Sequence, residues 1–399
     1  MSKYPSDWLS KPLGKVYPKI VVGYVGNVND HYCRAEEGVP FYRTLNIRDG
    51  YFRHSEHLYV THEFNEKNKK SQITNNDILI ARVGANLGMV CKADGISGLA
   101  NMANAIIIKT NDVNSADADF YTSFLLSPMG KNQIYSGAAG GAQGVFNTKL
   151  TQEIIVPVPP LPEQRKIAKI LSTWDKAIST TEKLIETSKQ QKKALMQQLL
   201  TGKKRLVNPE TGKVFEGDWK KVELGKLLDY KQPTPYLVKS TEYSNEYPTP
   251  VLTAGKTFIL GYSNEDFGIF REELPAIIFD DFTTASKFVD FPFKAKSSAM
   301  KILIAKDGVS IKYVYEAMQV LNYPVGGHQR HWISIFANLV IGLPEPEEQQ
   351  KIASVLTAAD KEIEILEAKL THFKQEKKAL MQQLLTGKRR VRVDEDVAA

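Results

Sequence analysis

Arginine and asparagine side chains stand beside glycines at two places in the first 90 residues of the chain. One group lies within residues 42–48 and the other within residues 82–86. An arginine fork can hydrogen-bond O6 and N7 of guanine, and an asparagine amide suits N6 and N7 of adenine. Glycine beside such residues lets the backbone approach a ligand closely. The predicted base-contacting residues are Tyr42, Arg43, Asn46, Arg48, Arg82 and Asn86.

A second set of polar side chains lies in the other half of the chain. Acidic and hydroxyl residues follow an apolar segment that ends near residue 280, and a Gly-Gly-x-Gln loop occurs at 326–329, as it does at 140–143. The acidic residues could accept from cytosine N4 or cap a turn, and we favour either over a nuclease site. For any single residue, an ordinary surface role remains an equal alternative. The predicted contacts are Gln143, Lys256, Asp281, Thr283, Thr284, Lys287, His328, Gln329, Arg330 and His331.

The motifs of common cofactor-dependent enzymes are missing from the sequence. Gly255-Lys256-Thr257 resembles the end of a phosphate-binding loop, but Pro250 stands where that loop needs its first glycine. No Gly-x-Gly-x-x-Gly segment follows a strand pattern, and no Asn/Asp-Pro-Pro-aromatic segment is available to hold a flipped base. The paired histidines, His54 with His57 and His328 with His331, have no metal ligands at suitable spacing. We therefore expect no cofactor or metal in this chain.

Two long segments that would position these residues are nearly copies of each other. Residues 163–205 align without a gap on residues 348–390, and 25 of the 43 positions are identical. The landmarks Asp7-Trp8 and Asp218-Trp219 repeat as well, each followed by Leu-Gly-Lys at the same spacing. Internal repetition of this kind indicates duplication and a pseudo-twofold arrangement. The globular parts barely resemble each other, which favours two different working surfaces on one shared frame, although drift alone is the alternative.

Apolar residues in both repeated segments recur at alternating steps of four and three, as in a coiled coil. Pro162 and Pro346 stand at the predicted starts, and Gly202 and Gly387 follow the predicted ends. Lys192 and Lys377 interrupt the two seams at the same place, and we expect them to extend to solvent, with a phosphate or partner contact as the alternative. The predicted seam residues are Ile167, Leu171, Trp174, Ile178, Ile185, Leu195 and Leu199, then Ile352, Leu356, Ile363, Leu366, Leu370, Phe373, Leu380 and Leu384.

The length of these helices predicts how the domains are arranged. A helix of about 38 residues spans roughly 57 Å, so each needs a partner along its length. We predict that the two helices pair as an antiparallel coiled coil, rather than each packing only on its own domain. The fold class is α/β (α+β), with two globular domains in tandem separated by these helices. The predicted boundaries are 1–160, 161–205, 206–345, 346–390 and a flexible tail at 391–399.

Composition narrows the class of protein further. The formal net charge is +7, and residues 163–205 contain 11 Lys and Arg against 4 Asp and Glu. The globular parts are therefore nearly neutral, which disfavours a diffuse nucleic-acid-binding coat. Two cysteines cannot build a disulfide framework, and no apolar run is long enough to cross a membrane. We expect a cytoplasmic protein that does not contact a membrane.

Taken in order, these segments resemble the specificity subunit of a type I restriction–modification system. The resemblance covers essentially the whole chain and rests on residues 161–168 and 347–353, both Leu-Leu-Thr-Gly-Lys helix ends, residues 77–84 and the Gly-Gly-x-Gln loops. Residues 326–331 depart from the small-residue loop that is usual in this family. The recognition domains are the divergent part of the family, so individual DNA contacts are not transferred to this chain.

The resemblance implies a DNA-binding subunit without catalytic activity. Each recognition domain would read one half of an asymmetric, two-part sequence in double-stranded DNA, and the coiled coil would set the unread spacer. Two methyltransferase subunits would bring S-adenosylmethionine, and two motor-endonuclease subunits would use ATP and Mg²⁺. The alternatives are a self-contained endonuclease or methyltransferase and a coiled-coil scaffold that binds proteins only.

Overall fold

The computed structural model describes residues 4–111, 113–139, 145–253, 257–281, 283–321 and 331–393. It divides into two compact units: residues 1–181 with 369–399, and residues 182–368. Each unit therefore combines one globular part with one segment from each of two long helices. Of the predicted tail, residues 394–399 lie outside the described part.

The first unit contains eleven strands and five short helices within its described residues, and the first long helix starts in it. The strands are β1 (Leu9–Pro12), β2 (Ile20–Val22), β3 (Gly38–Tyr42), β4 (Ile47–Arg48), β5 (Tyr51–Phe52), β6 (Leu58–Thr61), β7 (Ile78–Ala81), β8 (Val90–Lys92), β9 (Asn101–Met102), β10 (Ala105–Ile108) and β11 (Ile155–Val158). The helices are α1 (Leu13–Val16), α2 (His62–Lys67), α3 (Ala118–Leu126), α4 (Pro128–Ala139), α5 (Thr148–Glu153) and the long α6 (Leu161–Leu199).

The second unit contains nine strands and three short helices among the residues described for it, and the second long helix starts in it. The strands are β12 (Lys220–Glu223), β13 (Leu228–Lys231), β14 (Thr249–Leu252), β15 (Ile259–Ser263), β16 (Ala276–Asp280), β17 (Ser286–Val289), β18 (Lys294–Ala295), β19 (Met300–Ala305) and β20 (Val340–Leu343). The helices are α7 (Leu224–Leu227), α8 (Ile311–Gln319), α9 (His331–Ser334) and the long α10 (Pro346–Leu384).

The two units share one topology. A four-stranded antiparallel sheet has the order β2-β10-β7-β8 in the first unit and β13-β19-β16-β17 in the second. A three-stranded sheet has the order β6-β3-β9 or β15-β14-β18, with one antiparallel and one parallel pairing in each case. A two-stranded ribbon, β1-β11 or β12-β20, completes each copy. The duplication seen in the helices therefore extends to globular parts whose sequences diverged.

Both faces of each four-stranded sheet are buried, which explains why its central strands contain continuous apolar runs. Side chains alternate across a strand. In β7, Ile78 and Ile80 join the core that contains α3 and the long helices, while Leu79 and Ala81 join a second core on the opposite face. In β16, Ile277 and Phe279 divide from Ile278 in the same way.

The long helices pair in antiparallel fashion inside each unit. In the first unit, the rings of Trp174 and Phe373 pack edge to face with centroids 5.6 Å apart. In the second unit, Lys189 contacts Glu367 at 2.6 Å while Lys192 contacts Asp360 at 2.6 Å, so rising numbers on α6 meet falling numbers on α10. All fifteen predicted seam side chains are buried or half-buried.

The expectation that the two seam lysines extend to solvent is wrong. Lys192 and Lys377 cross the seam and form ion pairs with Asp360 and Asp175 on the facing helix. Their side chains are only 17% and 20% exposed. An aspartate one position beside the seam lies close enough to pair with the ammonium group, so the charge is neutralised within the coiled coil instead of being carried to water.

Candidate nucleic-acid interface

The structure brings the two predicted segments of the first unit together. Arg48, at the end of β4, donates from Nη1 to the side-chain oxygen of Asn86 at 3.2 Å, and Asn86 donates to the carbonyl of Thr44 at 3.2 Å. Both side chains are half-buried. Residues from the β3–β4 connection and the β7–β8 connection therefore form one polar surface, whose members we define as Arg43, Arg48, Arg82 and Asn86.

Two arginines on this surface keep donors that the protein does not use. The Nε atoms of Arg43 and Arg82 are buried, and neither has a hydrogen-bond partner among the described residues. Arg43 is anchored by one bond, from Nη2 to the carbonyl of Glu56 at 3.2 Å. A buried Nε is not itself accessible to DNA, so a fork-like contact with a base or a phosphate would use the terminal nitrogens of these half-buried guanidinium groups.

Residues 53–57 border this surface, and sequence reasoning did not assign them to it. Arg53 bonds Ser55 Oγ at 2.8 Å and pairs with Glu56, while His57 Nε2 lies 3.0 Å from the hydroxyl of Tyr59. His54 takes part in hydrogen bonding as well, since its Nδ1 lies 3.3 Å from the hydroxyl of Tyr42. A signal in the sequence could have identified this segment: it contains one arginine and two histidines, and it begins five residues after Arg48.

The prediction that Tyr42 and Asn46 contact bases is wrong, because both side chains are buried in the interior. Tyr42 is 4% exposed and packs in the core beneath β3, and burial raises the pKa of its hydroxyl. Asn46 is fully buried, and its side chain accepts from the amide of Arg43 and donates to the carbonyls of Arg53 and Ser55, each at 2.9 Å. Asn46 therefore shapes the loop that carries Arg43 and has no free edge for a base.

The turn between β16 and β17 in the second unit is equivalent to the β7–β8 connection in the first. Two of the base contacts predicted in this turn, Asp281 and Thr284, are wrong. Asp281 is 3% exposed and accepts from the backbone amide of Trp332 at 2.9 Å. Thr284 is 7% exposed and has a positive φ of 61°. Asp280 caps the turn by accepting from the hydroxyl of Thr283 at 2.7 Å. Asp281 and Thr284 thus support the turn rather than project from it.

Thr283 and Lys287 are the predicted residues of the second unit that the structure places on its exposed surface. Lys256, His328, Gln329 and Arg330 lie outside the described residues, as does Gln143 of the first unit. His331 is the first residue of α9, and its side chain is not among those described. The assignment of these residues stays a prediction.

The Glu-Gln pair that is repeated at the start of each long helix has a structural role. Glu163 accepts from Trp8 Nε1 at 3.1 Å and from Arg390 Nε at 2.7 Å. Its copy Glu348 accepts from Trp219 Nε1 at 3.1 Å and from Arg205 Nε at 2.7 Å. Hydrogen bonding to Glu348 is the main cause that raises the pKa of Arg205. The same Trp-Glu-Arg contact therefore occurs in each unit, where it joins the start of one long helix to the residues that follow the end of the other.

The glutamines beside these glutamates join the long helices to the recognition domains. Gln164 donates to the carbonyl of Pro159 at 2.8 Å and accepts from the amide of Asp117 at 2.9 Å. Gln349 makes the same two bonds, to Pro344 at 2.8 Å and from Ser310 at 2.9 Å. Asp117 and Ser310 are the N-caps of α3 and α8. The glutamine therefore links the long helix to the equivalent short helix in each unit, α3 in the first and α8 in the second.

Among the residues described, no cluster of three or more His, Cys, Asp or Glu could hold a metal ion. No helix in the described ranges is long and apolar enough to cross a bilayer. The expectation that cofactors belong to partner subunits is independent of these findings and stays a prediction.

Curated relatives are specificity subunits of type I restriction enzymes. Over 145 residues the chain is 48% identical to the EcoR124I/EcoR124II specificity subunit of Escherichia coli, a match that spans 35% of each chain. The putative MjaX specificity subunit of Methanocaldococcus jannaschii is 27% identical over 423 residues, covering 98% of this chain and 96% of that one. The MjaVIII specificity subunit of the same organism is 27% identical over 393 residues, covering 88% and 86%.

Solved structures show the same fold. The S subunit of a type I restriction–modification system from M. genitalium superposes with a TM-score of 0.65 at 14% identity, covering 96% of this chain and 98% of that chain. A chain from a study of complex assembly and conformational transition in a type I system gives a TM-score of 0.54 at 14% identity, covering 96% and 99%.

A family model matches the chain twice and settles its membership. The model is described as the type I restriction modification DNA specificity domain, and it matches residues 5–189 and 216–375. Each match contains one recognition domain and most of the long helix that follows it. With two such domains in tandem, the chain belongs to the family of type I restriction–modification DNA specificity subunits.

Proposed function

We propose that each recognition domain of this chain reads one half of an asymmetric, two-part DNA sequence. The observation that carries the proposal is the difference between the turns after β7 and after β16, which are equivalent because the two units share the strand order of their four-stranded and three-stranded sheets. The turn after β7 presents Arg82 and Asn86 in the first unit, where Arg48 of β4 donates to Asn86. The turn after β16 presents Thr283 in the second unit, and Lys287 follows it on β17. Different donors on equivalent positions suit different bases.

The electrostatics of the first unit support contact with base edges. The side chains of Arg43 and Arg82 are half-buried, and the buried Nε atom of each has no hydrogen-bond acceptor among the described residues. The protein therefore leaves both guanidinium groups incompletely paired. The basic face of α6 could add phosphate contacts, which strengthen binding without reading sequence. Sequence selectivity then comes from a few placed side chains, in agreement with the near-neutral globular parts.

The coiled coil sets the unread spacer between the half-sites in this proposal, and it docks the methyltransferase subunits. The spacing of half-sites follows from the geometry of the protein that links two recognition elements. Two methyltransferase subunits would bring S-adenosylmethionine and flip an adenine in each half-site. Two motor-endonuclease subunits would add ATP- and Mg²⁺-dependent cleavage, and this chain would have no catalytic step of its own.

The test is selection of DNA from a random library by the chain assembled with its methyltransferase subunit. Two short, unlike sequence blocks at a fixed separation are expected. Retention of DNA without sequence preference would favour a scaffold that binds proteins only. Metal-dependent cleavage by the purified chain alone would instead support a self-contained endonuclease.

A further inference from the structure

Four charged side chains in the second unit connect helix α8 to both long helices. Lys312 and Glu316 lie on α8, Lys192 on α6 and Asp360 on α10. Lys192 is 2.6 Å from Asp360 and 3.3 Å from Glu316, and Lys312 is 2.7 Å from Glu316 and 3.2 Å from Asp360. Each lysine therefore contacts both carboxylates, and the four charges balance. We call Lys192, Lys312, Glu316 and Asp360 the junction.

Three of the four side chains of the junction are largely shielded from water, whereas that of Asp360 is 39% exposed. The Glu316 side chain has no exposed area, and the side chains of Lys192 and Lys312 are 17% and 18% exposed. The ammonium of Lys312 also lies 4.9 Å from the ring centroid of Phe288 and 5.1 Å from that of Tyr315. Charges in such surroundings interact over short distances with strong dependence on geometry, so a small rotation of α8 would leave a buried charge without its partner.

The first unit has half of this arrangement. Lys377 and Asp175 occupy the places of Lys192 and Asp360, and they form the same ion pair across the seam. The backbone amides of the N-caps Asp117 and Ser310 donate to equivalent glutamines, Gln164 and Gln349, which aligns α3 with α8 residue by residue. That alignment places Asp119 and Ser123 where the second unit has Lys312 and Glu316.

Asp119 takes part in a different contact, which leads away from the long helices. It pairs with Lys92 of β8 at 2.6 Å, inside its own recognition domain. Among the contacts of the described residues, ion pairs therefore join α8 to the long helices in the second unit, and no such ion pair joins α3 to them in the first. Duplication alone does not account for this difference, because the copied helices carry their half of the junction in both units.

We propose that Lys312 and Glu316 are positioning residues that fix the orientation of the second recognition domain on the coiled coil. They thereby restrict which spacer length the second half-site can have. This inference rests on the proposed function and deepens it. Apolar packing between α8 and the long helices is non-directional and tolerates small rotations, whereas the paired charges of the junction match in one orientation.

The test compares variants of the full chain assembled with its methyltransferase subunit on DNAs that share both half-sites. The DNAs carry the preferred spacer or one that is a single base pair shorter or longer. Lys312→Met combined with Glu316→Leu removes two opposite charges, leaves Lys192 paired with Asp360 and keeps apolar volume, so folding should persist. We expect its discrimination between spacers to fall by about three- to tenfold, with the bases read in both half-sites unchanged.

Two matched variants act as controls. Lys92→Met with Asp119→Leu removes the ion pair of the first unit that does not touch the long helices, and it should keep the discrimination of the original chain. Lys312→Arg retains the positive charge and should also keep it. If the double apolar variant does not fold, Glu316→Gln provides the same comparison, and it should loosen spacer discrimination while Lys312→Arg does not.

Unchanged spacer discrimination in the Lys312/Glu316 variants would overturn the inference. So would equal weakening on all three DNAs, since that outcome marks a purely structural role. A failure of the proposed function looks different, because the original chain would then show no preference for a gapped sequence.

Discussion

Lys377 crosses the seam between the long helices of the first unit and forms an ion pair with Asp175. The copy of this pair in the second unit is Lys192 with Asp360, at 2.6 Å. In the duplicated helices Lys377 corresponds to Lys192 and Asp360 to Asp175, so each helix donates one lysine and one aspartate. The interruption that recurs in both apolar seams is therefore a pair of reciprocal contacts that match in the antiparallel pairing of the helices.

Exchanging the two charges of the first pair tests this reciprocity. Lys377→Asp alone places two carboxylates together and should lower the free energy of unfolding, and adding Asp175→Lys should recover part of the loss. A double-mutant cycle by chemical denaturation should give a coupling energy of about 0.5–1 kcal/mol. The exposed neighbour Lys378→Asp should show no coupling to Asp175→Lys, and strict additivity for Lys377 would contradict the assignment.

Arg390 near the end of the chain should be needed for the stability of the first unit. It supplies two bonds to Glu163, whose side chain is only 4% exposed, so Arg390→Ala leaves a buried carboxylate without its charged donor. We expect the free energy of unfolding of the first unit to fall by about 2 kcal/mol, as measured by chemical denaturation followed by tryptophan fluorescence. Arg389→Ala changes an exposed side chain and should have little effect; an equal effect of both substitutions would refute the role of the contact.

Arg82 and Asn46 should behave differently although both were predicted as base contacts. Arg82→Ala removes a half-buried guanidinium group from the polar surface of the first unit and should cost about 1–3 kcal/mol at one position of one half-site. Asn46→Ala removes three buried hydrogen bonds and should lower stability without changing which bases are preferred. Binding to single-base variants of the target, measured beside thermal unfolding, separates the two effects.

Lys15→Ala serves as the control for Arg82→Ala, because it removes one positive charge from an exposed position of the same unit. Equal weakening of binding to every sequence by Arg82→Ala would mark Arg82 as a phosphate contact and would contradict base reading.

The junction predicts a dependence of stability on pH. Burial acts to raise the pKa of Asp360, but hydrogen bonds and charges from Lys192 and Lys312 outweigh burial and hold this pKa below its ordinary value of 3.8. A carboxylate with a lowered pKa stabilises the fold above its unfolded-state value and stops doing so as the pH falls through the folded-state value. Asp360→Asn should therefore be less stable than the original chain at neutral pH.

The stability difference caused by Asp360→Asn should be constant between about pH 7 and pH 5 and should shrink below about pH 4. Denaturation at several pH values measures it, and Glu364→Gln, an exposed position on the same helix, is the control. A difference that grows on acidification would show that Asp360 is not stabilised in its charged form.

The long-range plan of the molecule could be predicted from the sequence because it depends on periodicity. Steps of four and three residues identify the paired helices, and continuous apolar runs such as 78–81 and 276–279 identify strands buried on both faces. The apolar run at 105–108 likewise forms the buried strand β10.

The roles of individual polar residues could not be predicted in this way. Asn46 and Asn86 look alike in sequence, yet one is fully buried with its hydrogen bonds satisfied and the other is half-buried on the polar surface. Lys192 resembled a surface lysine because its partners Glu316 and Asp360 are distant in sequence. Burial and long-range pairing decide such cases, and both depend on the tertiary fold.

The most direct measurement is a map of modified adenines in cells that contain this chain and its methyltransferase subunit, before and after residues 1–160 are exchanged for another recognition domain. The account predicts one gapped motif of two unlike halves, of which the exchange alters a single half and leaves the other half and the gap unchanged. Modification at an ungapped motif, or a change in both halves after the exchange, would contradict it.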